Sequence, residues 1–398
     1  LEEGSVWNLV KGKKYYMIKG GSSVVAFIVP QAFSSDHSGF KLICTHTDSP
    51  CIRLAPKFEA TSAQFAQCYV QCYGGGLWNT WMDRELVLGG RVAIKKEDGI
   101  ETRLFLSKKP LAKIVNLAIH LKKERNKIEI DKEIHLRPII SSSISLEDNE
   151  NIGLRQYIAS DFSIDPAAIL GFDLCFADAA PPAKFGLHDE FISSPRLDNL
   201  YSVFCSTLAL LESLEHNLSD EATQDMNILF MFDHEEIGSQ TYIGAQSNLS
   251  SSILQRICTA LHFTDAQDFS RIMSRSFMLS CDMAHSVHPN YTAAHQVSHI
   301  PHINEGVVLK INCNGRYTSE TFSIAAIKKV AEKANVPLIE YIVNNESPCG
   351  STVGPLLASA LGCYSVDIGA PMLAMHSVRE TAGVIDFYYY TELMKTFI

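Results

Sequence analysis

The run "NILFMF" at 227–232 presents apolar side chains on both faces, and a strand of that kind must be covered from both sides. It is one of several. "SSVVAFIVP" (22–30), "KLICT" (41–45), "SFMLSC" (276–281), "VVLKIN" (307–312), "IEYIV" and "YSVDIG" also read as short buried strands. Helix-period segments lie between them. These are "PRLDNLYSVFCSTLALLESLEHN" (195–217), with Pro195 near its start, "SETFSIAAIKKVAEKA" (319–334), with Ser319 as its N-cap, and "TVGPLLASALG". A further helix is expected to close the chain from about Ser377. Apolar strands alternating with helices predict an α/β domain with a largely parallel central sheet flanked by helices.

The alternation stops between Cys51 and Pro182. There the short β-type runs "FAQCYVQCY", "LVLGGRVAIKK" and "ETRLFLS" predominate, interrupted by one helix-like piece, "VNLAIHLKKERNK". The pattern before this block resumes after it. Residues 51–182 are therefore expected to form an inserted β-rich domain, with Pro181-Pro182 at the return crossing, and 1–50 with 183–398 a discontinuous α/β domain. Gly74, Gly75 and Gly76 have no helix-opening phosphate-loop pattern after them and read as a tight turn.

Bulk properties exclude some functions. With 34 basic and 44 acidic residues the formal net charge is −10, which argues against nucleic acid as a partner. No apolar run approaches the roughly 18 residues that a membrane span needs, so no membrane association is expected. The eleven cysteines are scattered without a C-x-x-C pair, which fits a reducing, cytoplasmic setting. The match Asn217-Leu218-Ser219 to a glycosylation signal is then coincidental.

Polar clusters sit where the α/β strands end, the place where open sheets of this kind bind ligands. They are "THTDSP" with His46 and Asp48, "SPRLDNL" with Asp198, "DHEEIGS" with Glu235 and Glu236, "SCDMAHSVHPNY" with Asp282, and "MLAMHSVRE" with His376. Singly, Asp198 reads as a helix cap, Asp282 as a turn former, and a lone histidine as a hydrogen-bonded structural residue. Together, two imidazoles and three carboxylates supply the mixed N/O ligands that a pair of divalent ions takes. In H-x-D, Asp48 can hold the second ring nitrogen of His46. Adjacent glutamates repel each other, and metal ions offset that repulsion. One glutamate can then bind metal while its neighbour takes a proton from water.

These blocks, with "HTDSPC", "YGGGLWNTWMDREL" and "PCGSTVGP", occur in an order that resembles the M18 metallopeptidases along essentially the whole chain. The resemblance is nearest to members that remove N-terminal Asp or Glu from peptides. It implies a site for two Zn²⁺ per subunit, which Mn²⁺ or Co²⁺ can replace. Asp198 would bridge the metals, His46 and Asp282 would complete one site, and Glu236 and His376 the other. Glu235 would be the general base and Asp48 would orient His46. In "LKINCNGRY", Lys310 and Tyr317 would form an acid-specific pocket. The resemblance further implies that the insert is a dimerisation domain, that subunits form a tetrahedral homododecamer, and that His120 in "LAIHL" enters a neighbour's active site. His285 and His288, beside a metal ligand, are candidates for contact with substrate or for polarising its carbonyl, with an orienting or merely structural role as the alternative. His234 stands where asparagine is expected, and "SSSISLEDNENIGLRQ" is where members differ most in length.

Without the resemblance, Lys310 reads as an edge-strand lysine, Tyr317 as a surface aromatic and His120 as a solvated face residue. Two rival functions are a vacuolar-type aminopeptidase of neutral specificity and a catalytically idle particle serving as scaffold or cargo. Lys310 favours the acid-specific enzyme over the first. The full set of ligands and base argues against the second.

Overall fold

The computed structural model describes residues 1–142, 153–217 and 224–398. Positions 143–152 of the length-variable segment, and Leu218 and Ser219 of the glycosylation-like match, lie outside the described residues. Contacts divide the chain into two compact units. One is Leu1–Ser49, Ala183–Met375 and Glu380–Ile398; the other is Pro50–Pro182 with His376–Arg379.

The first unit is built on an eight-stranded sheet: β1 (Lys14–Lys19), β2 (Ser23–Ile28), β3 (Phe40–His46), β4 (Met226–Phe232), β5 (Phe277–Cys281), β6 (Val307–Lys310), β7 (Leu338–Tyr341) and β8 (Tyr364–Gly369). Their spatial order is β1-β2-β4-β3-β5-β8-β6-β7. The run β4-β3-β5-β8 is parallel throughout, and β6 is parallel to β7. The pairs β1–β2, β2–β4 and β6–β8 are antiparallel. The sheet is thus mixed rather than largely parallel. The first cause is local. Only Gly20, Gly21 and Ser22 join β1 to β2, and so short a connection can make only an antiparallel pair.

Among the described residues six helices accompany the sheet: α1 (Leu197–Asn217), α2 (Leu249–Ala260), α3 (Ala266–Ser274), α4 (Thr321–Ala334), α5 (Val353–Leu361) and α6 (Val384–Phe397). Strand β4 shows why its sequence is apolar on both faces. Met226, Ile228, Phe230 and Phe232 pack with residues of α2, α3 and α5, whereas Leu229 and Met231 pack with those of α1, α4 and α6. A smaller five-stranded sheet joins Ala183–Phe185, Phe191–Ser194, Glu380–Gly383, Pro371–Leu373 and Ala284–His285.

Several local expectations are corrected. No helix starts at Ser377. Residues Glu380–Gly383 form a strand between two others, and α6 begins only at Val384. Ser319 is not the cap of α4. Glu320 is, in a reciprocal capping box with Ser323, while the Ser319 hydroxyl accepts the N–H of Asp367. In α1, Asp198 and Asn199 have non-helical backbone, so Asp198 is delivered just ahead of the regular helix.

The second unit is a β-rich body. Strands Cys51–Ser62, Phe65–Tyr73, Ile139–Ser142, Ala112–Lys113, Glu85–Lys96 and Ile169–Asp178 pair in turn, and the last returns to the first, closing a barrel. Strand Gly99–Leu106 extends it beside Glu85–Lys96. A helix, Leu154–Phe162, packs Leu154, Ile158 and Ala159 into the barrel's core. The piece "VNLAIHLKKERNK" is not an α-helix. It contains only a 3₁₀ turn at Ile119–Leu121. Its apolar residues Val115, Leu117, Ile119 and Leu121 recur every second position and are exposed, so no helical stripe exists to bury.

Candidate metal centre

Three adjacent parallel strands deliver the charged residues at their carboxyl ends. His46 ends β3, Asp282 directly follows β5, and Glu235 and Glu236 open a 3₁₀ turn just beyond β4. His234 takes a left-handed conformation (φ 66°) to turn the chain there.

His46 is the hub. Its Nε2 lies 3.4 Å from Asp198 Oδ1, 3.4 Å from Asp282 Oδ1 and 4.0 Å from Glu235 Oε2. Ligand atoms of His46, Asp198 and Glu236 all lie within 4.8 Å of one another. On the other side of the ring, Nδ1 is 3.3 Å from Asp48 Oδ1 and 3.1 Å from the Asp48 carbonyl oxygen. The Asp48 carboxylate also accepts the N–H of Glu235 (3.0 Å) and of Glu236 (3.1 Å). One side chain therefore orients the imidazole and the glutamate turn together.

Asp198 is fixed through its backbone. Its N–H donates to Glu380 Oε2 at 3.0 Å, and its carbonyl oxygen accepts the Ser49 hydroxyl at 2.6 Å. Asn199 Nδ2 ties the next residue to the Cys281 carbonyl at 2.8 Å, at the end of β5. The buried Glu380 is a part of this site that sequence reasoning misses, although "HSVRE" contains it.

Electrostatics ask for a cation. Burial alone would lower the His46 imidazole, but hydrogen bonds to Asp198, Asp282 and Asp48 and the charge of Glu235 hold it well above its ordinary range. Burial, against the pull of His46 and helped by the charges of Asp282, Glu236 and Asp198, pushes Glu235 up to about 8. Two like charges 4 Å apart in such surroundings repel by about 4 kcal/mol. A single imidazolium cannot neutralise so many carboxylates. Asp282 Oδ1 is shielded from solvent and faces His46 Nε2 at 3.4 Å. An imidazole with several carboxylate oxygens suits divalent ions, zinc among them, and the donor set fits them.

Lys310 joins this cluster. The side chain is almost fully buried at the end of β6; its Nζ donates to the Met283 carbonyl at 3.0 Å and lies 3.8 Å from Asp282 Oδ2. It sits 5.3 Å from the centre of the Tyr317 ring, which is also buried. The bland readings of both residues therefore fail: neither is at the surface. His285 is exposed and edges the Tyr341 ring at 6.3 Å. His288 is engaged in its own loop, where its N–H donates to His295 Nε2 and its Nδ1 accepts from Asn290. His120 and His376 belong to the second unit. His120 is exposed in its 3₁₀ turn. His376 Nδ1 lies 2.7 Å from the Gly75 carbonyl oxygen, so the glycine turn helps to fix the ring. Gly76 cannot carry a side chain there, because a Cβ would come within 2.7 Å of the Trp78 ring.

An open α/β sheet with imidazole and paired carboxylates at its strand ends defines a metal-dependent hydrolase. The chain belongs to the M18 family: the family model described as aminopeptidase I zinc metalloprotease (M18) matches residues 1–398. It is a metallo-aminopeptidase. Aspartyl aminopeptidase 1 of Schizosaccharomyces pombe is 40% identical over 417 residues, covering 100% of this chain and 87% of the relative. The solved complex of Ape4 with Nbr1 contains a chain 40% identical to this one. It superposes with a TM-score of 0.95, over 100% of this chain and 78% of the other. The S. cerevisiae mApe1 dodecamer aligns at 26% identity with a TM-score of 0.84, covering 100% of this chain and 88% of its own.

Proposed function

We propose that this chain is a zinc aminopeptidase that removes N-terminal aspartate or glutamate from peptides. The observation that carries the specificity is Lys310, a buried ammonium 3.8 Å from the Asp282 carboxylate with Tyr317 beside it. An unpaired carboxylate is costly to bury, so a cation at this place favours an acidic substrate side chain over leucine. The 40% identity to a relative named aspartyl aminopeptidase supports the same reading.

Two Zn²⁺ would be held by His46, Asp198, Glu236, Asp282 and His376. When bound, the ions supply an activated water and polarise the scissile carbonyl. Glu235 accepts the water's proton at its carboxylate and hands it to the leaving amine. Asp48 keeps the His46 ring and the Glu235-Glu236 turn in register. His285 and His288 remain candidates for substrate contact. In this reading residues 1–50 and 183–398, His376 among them, form the catalytic domain, and the insert of residues 51–182 mediates dimerisation within a tetrahedral dodecamer that places His120 in a neighbour's site. Self-association has support from the dodecameric relative. A cytoplasmic location is favoured by eleven cysteines scattered along the sequence without a C-x-x-C pair.

Hydrolysis of aspartyl-, glutamyl- and leucyl-amide substrates, with and without a chelator, tests the proposal. Acidic substrates should be cleaved best, chelation should abolish turnover, and zinc, manganese or cobalt should restore it. A preference for leucyl substrates would establish the neutral specificity instead. Full turnover by protein shown to be metal-free would end the metal reading.

A further inference from the structure

Asp367 is a fully buried carboxylate that the chemistry above does not use. It lies in β8, where the antiparallel register sets it directly opposite Lys310 of β6. Residues so opposed share one face of the sheet, with Cβ atoms about 4.5–5.5 Å apart. Both carboxylate oxygens are engaged. Oδ2 accepts the backbone N–H of Thr318 at 2.6 Å, and Oδ1 accepts the Thr352 hydroxyl at 2.7 Å. The Asp367 N–H in turn donates to Ser319 Oγ at 3.0 Å, and the Thr318 and Ser365 hydroxyls meet beside it.

These contacts define a clamp. The chain leaves β6 after Lys310 and returns to the sheet at Thr318 and Ser319, the two residues that follow Tyr317. Removing the carboxylate leaves the buried Thr352 hydroxyl and the half-buried Thr318 N–H without their acceptor. Gly354 in α5 supplies an independent sign that the carboxylate's place is reserved. A Cβ there would lie 2.7 Å from Asp367 Oδ2 and 2.8 Å from Ser280 Oγ.

We infer that Asp367 is a specificity-positioning residue: it pins the Tyr317–Ser319 segment to β8 and so holds Tyr317 and Lys310 where an acidic substrate side chain is received. The inference rests on the acidic-substrate reading above. It assigns Asp367 no contact with substrate or metal; its effect is exerted through Tyr317 and Lys310.

The test measures kcat and KM for aspartyl- and leucyl-amide substrates, with metal content, in the metal-loaded wild type, Asp367→Ala, Asp367→Asn and Gly354→Ala. Asp367→Ala should lower the aspartyl-over-leucyl ratio of kcat/KM by roughly tenfold or more, the scale of a stranded buried donor. The loss should fall mainly on KM for the acidic substrate, with metal content unchanged. Asp367→Asn keeps the shape and an oxygen for the Thr318 N–H, so it should recover most of the ratio. Gly354→Ala suits its helix but displaces the carboxylate, and it should shift the ratio in the same direction as Asp367→Ala. It decides the matter where Asp367→Ala does not fold. The inference is overturned if the wild type prefers aspartyl substrates and neither alanine variant moves the ratio, or if Asn is as impaired as Ala. A wild type without preference for acidic substrates overturns the acidic reading itself, a result distinguishable from the first.

Discussion

Glu235 and Glu236 are chain neighbours held by one carboxylate, yet their surroundings separate their roles. Glu236 shares a cluster of ligand atoms with His46 and Asp198, whereas Glu235 is the neighbour that burial pushes up to about 8. Glu235→Gln should keep its metals and lose turnover by roughly 10²–10⁴-fold, the usual range for a general base. Glu236→Gln should lose metal instead, as measured by metal analysis after dialysis. Exchange of the two phenotypes would reverse the assignment. Asp48→Ala should weaken metal binding by roughly 10–100-fold, because it releases the His46 ring and both glutamate amides. Unchanged affinity in a metal titration would remove Asp48 from the site. At this scale the sequence exposes what stands at strand ends, because short polar clusters after apolar runs are visible locally. Glu380 is not visible in that way. It acts on a backbone N–H 182 residues away, and no local pattern announces such a contact.

Elements are legible in proportion to how far packing on both faces constrains them. Strands β3, β4 and β5 are apolar on two sides, and their period survives any choice of partner. The elements that sequence misplaces are those decided by partners or by single caps. Residues 377–383 are bend and strand because Glu380–Gly383 fills a place between Pro371–Leu373, just upstream, and Phe191–Ser194, distant in sequence. The segment "VNLAIHL" alternates in steps of two, and only its charged continuation imitates a helix. At α4 the cap lies one residue further on, because Glu320 and Ser323 satisfy each other's backbone N–H groups. Glu320→Ala should therefore cost about 1 kcal/mol, the scale of a lost N-cap. It should show as a lower denaturation midpoint with aspartyl-amide turnover retained. An unchanged midpoint would mean that the capping box adds nothing to α4.

The whole molecule raises the question of what the second unit is for. Its barrel strands hold none of the proposed metal ligands, but residues 51–182 carry His120 in an exposed turn flanked by exposed Leu117, Ile119 and Leu121. Exposed apolar side chains so closely spaced mark surfaces that partners cover. A structural relative is a dodecamer, and we propose that a second copy of this chain is that partner here. The shared-site reading makes a demanding claim, that His120 works in a subunit other than its own. Subunits carrying His120→Ala are therefore to be mixed with subunits carrying Glu235→Gln under conditions that exchange them. Each mutant oligomer alone lacks either the borrowed histidine or the base at every site. In the hybrid, some sites combine an intact Glu235 with an intact His120 from the neighbour. Activity should then exceed that of either parent. Size-exclusion chromatography and differently tagged subunits establish that exchange took place. If exchanged oligomers show no gain, the shared-site reading fails and His120 is a surface histidine. Loss of assembly in His120→Ala alone would instead place it in the interface without a part in catalysis.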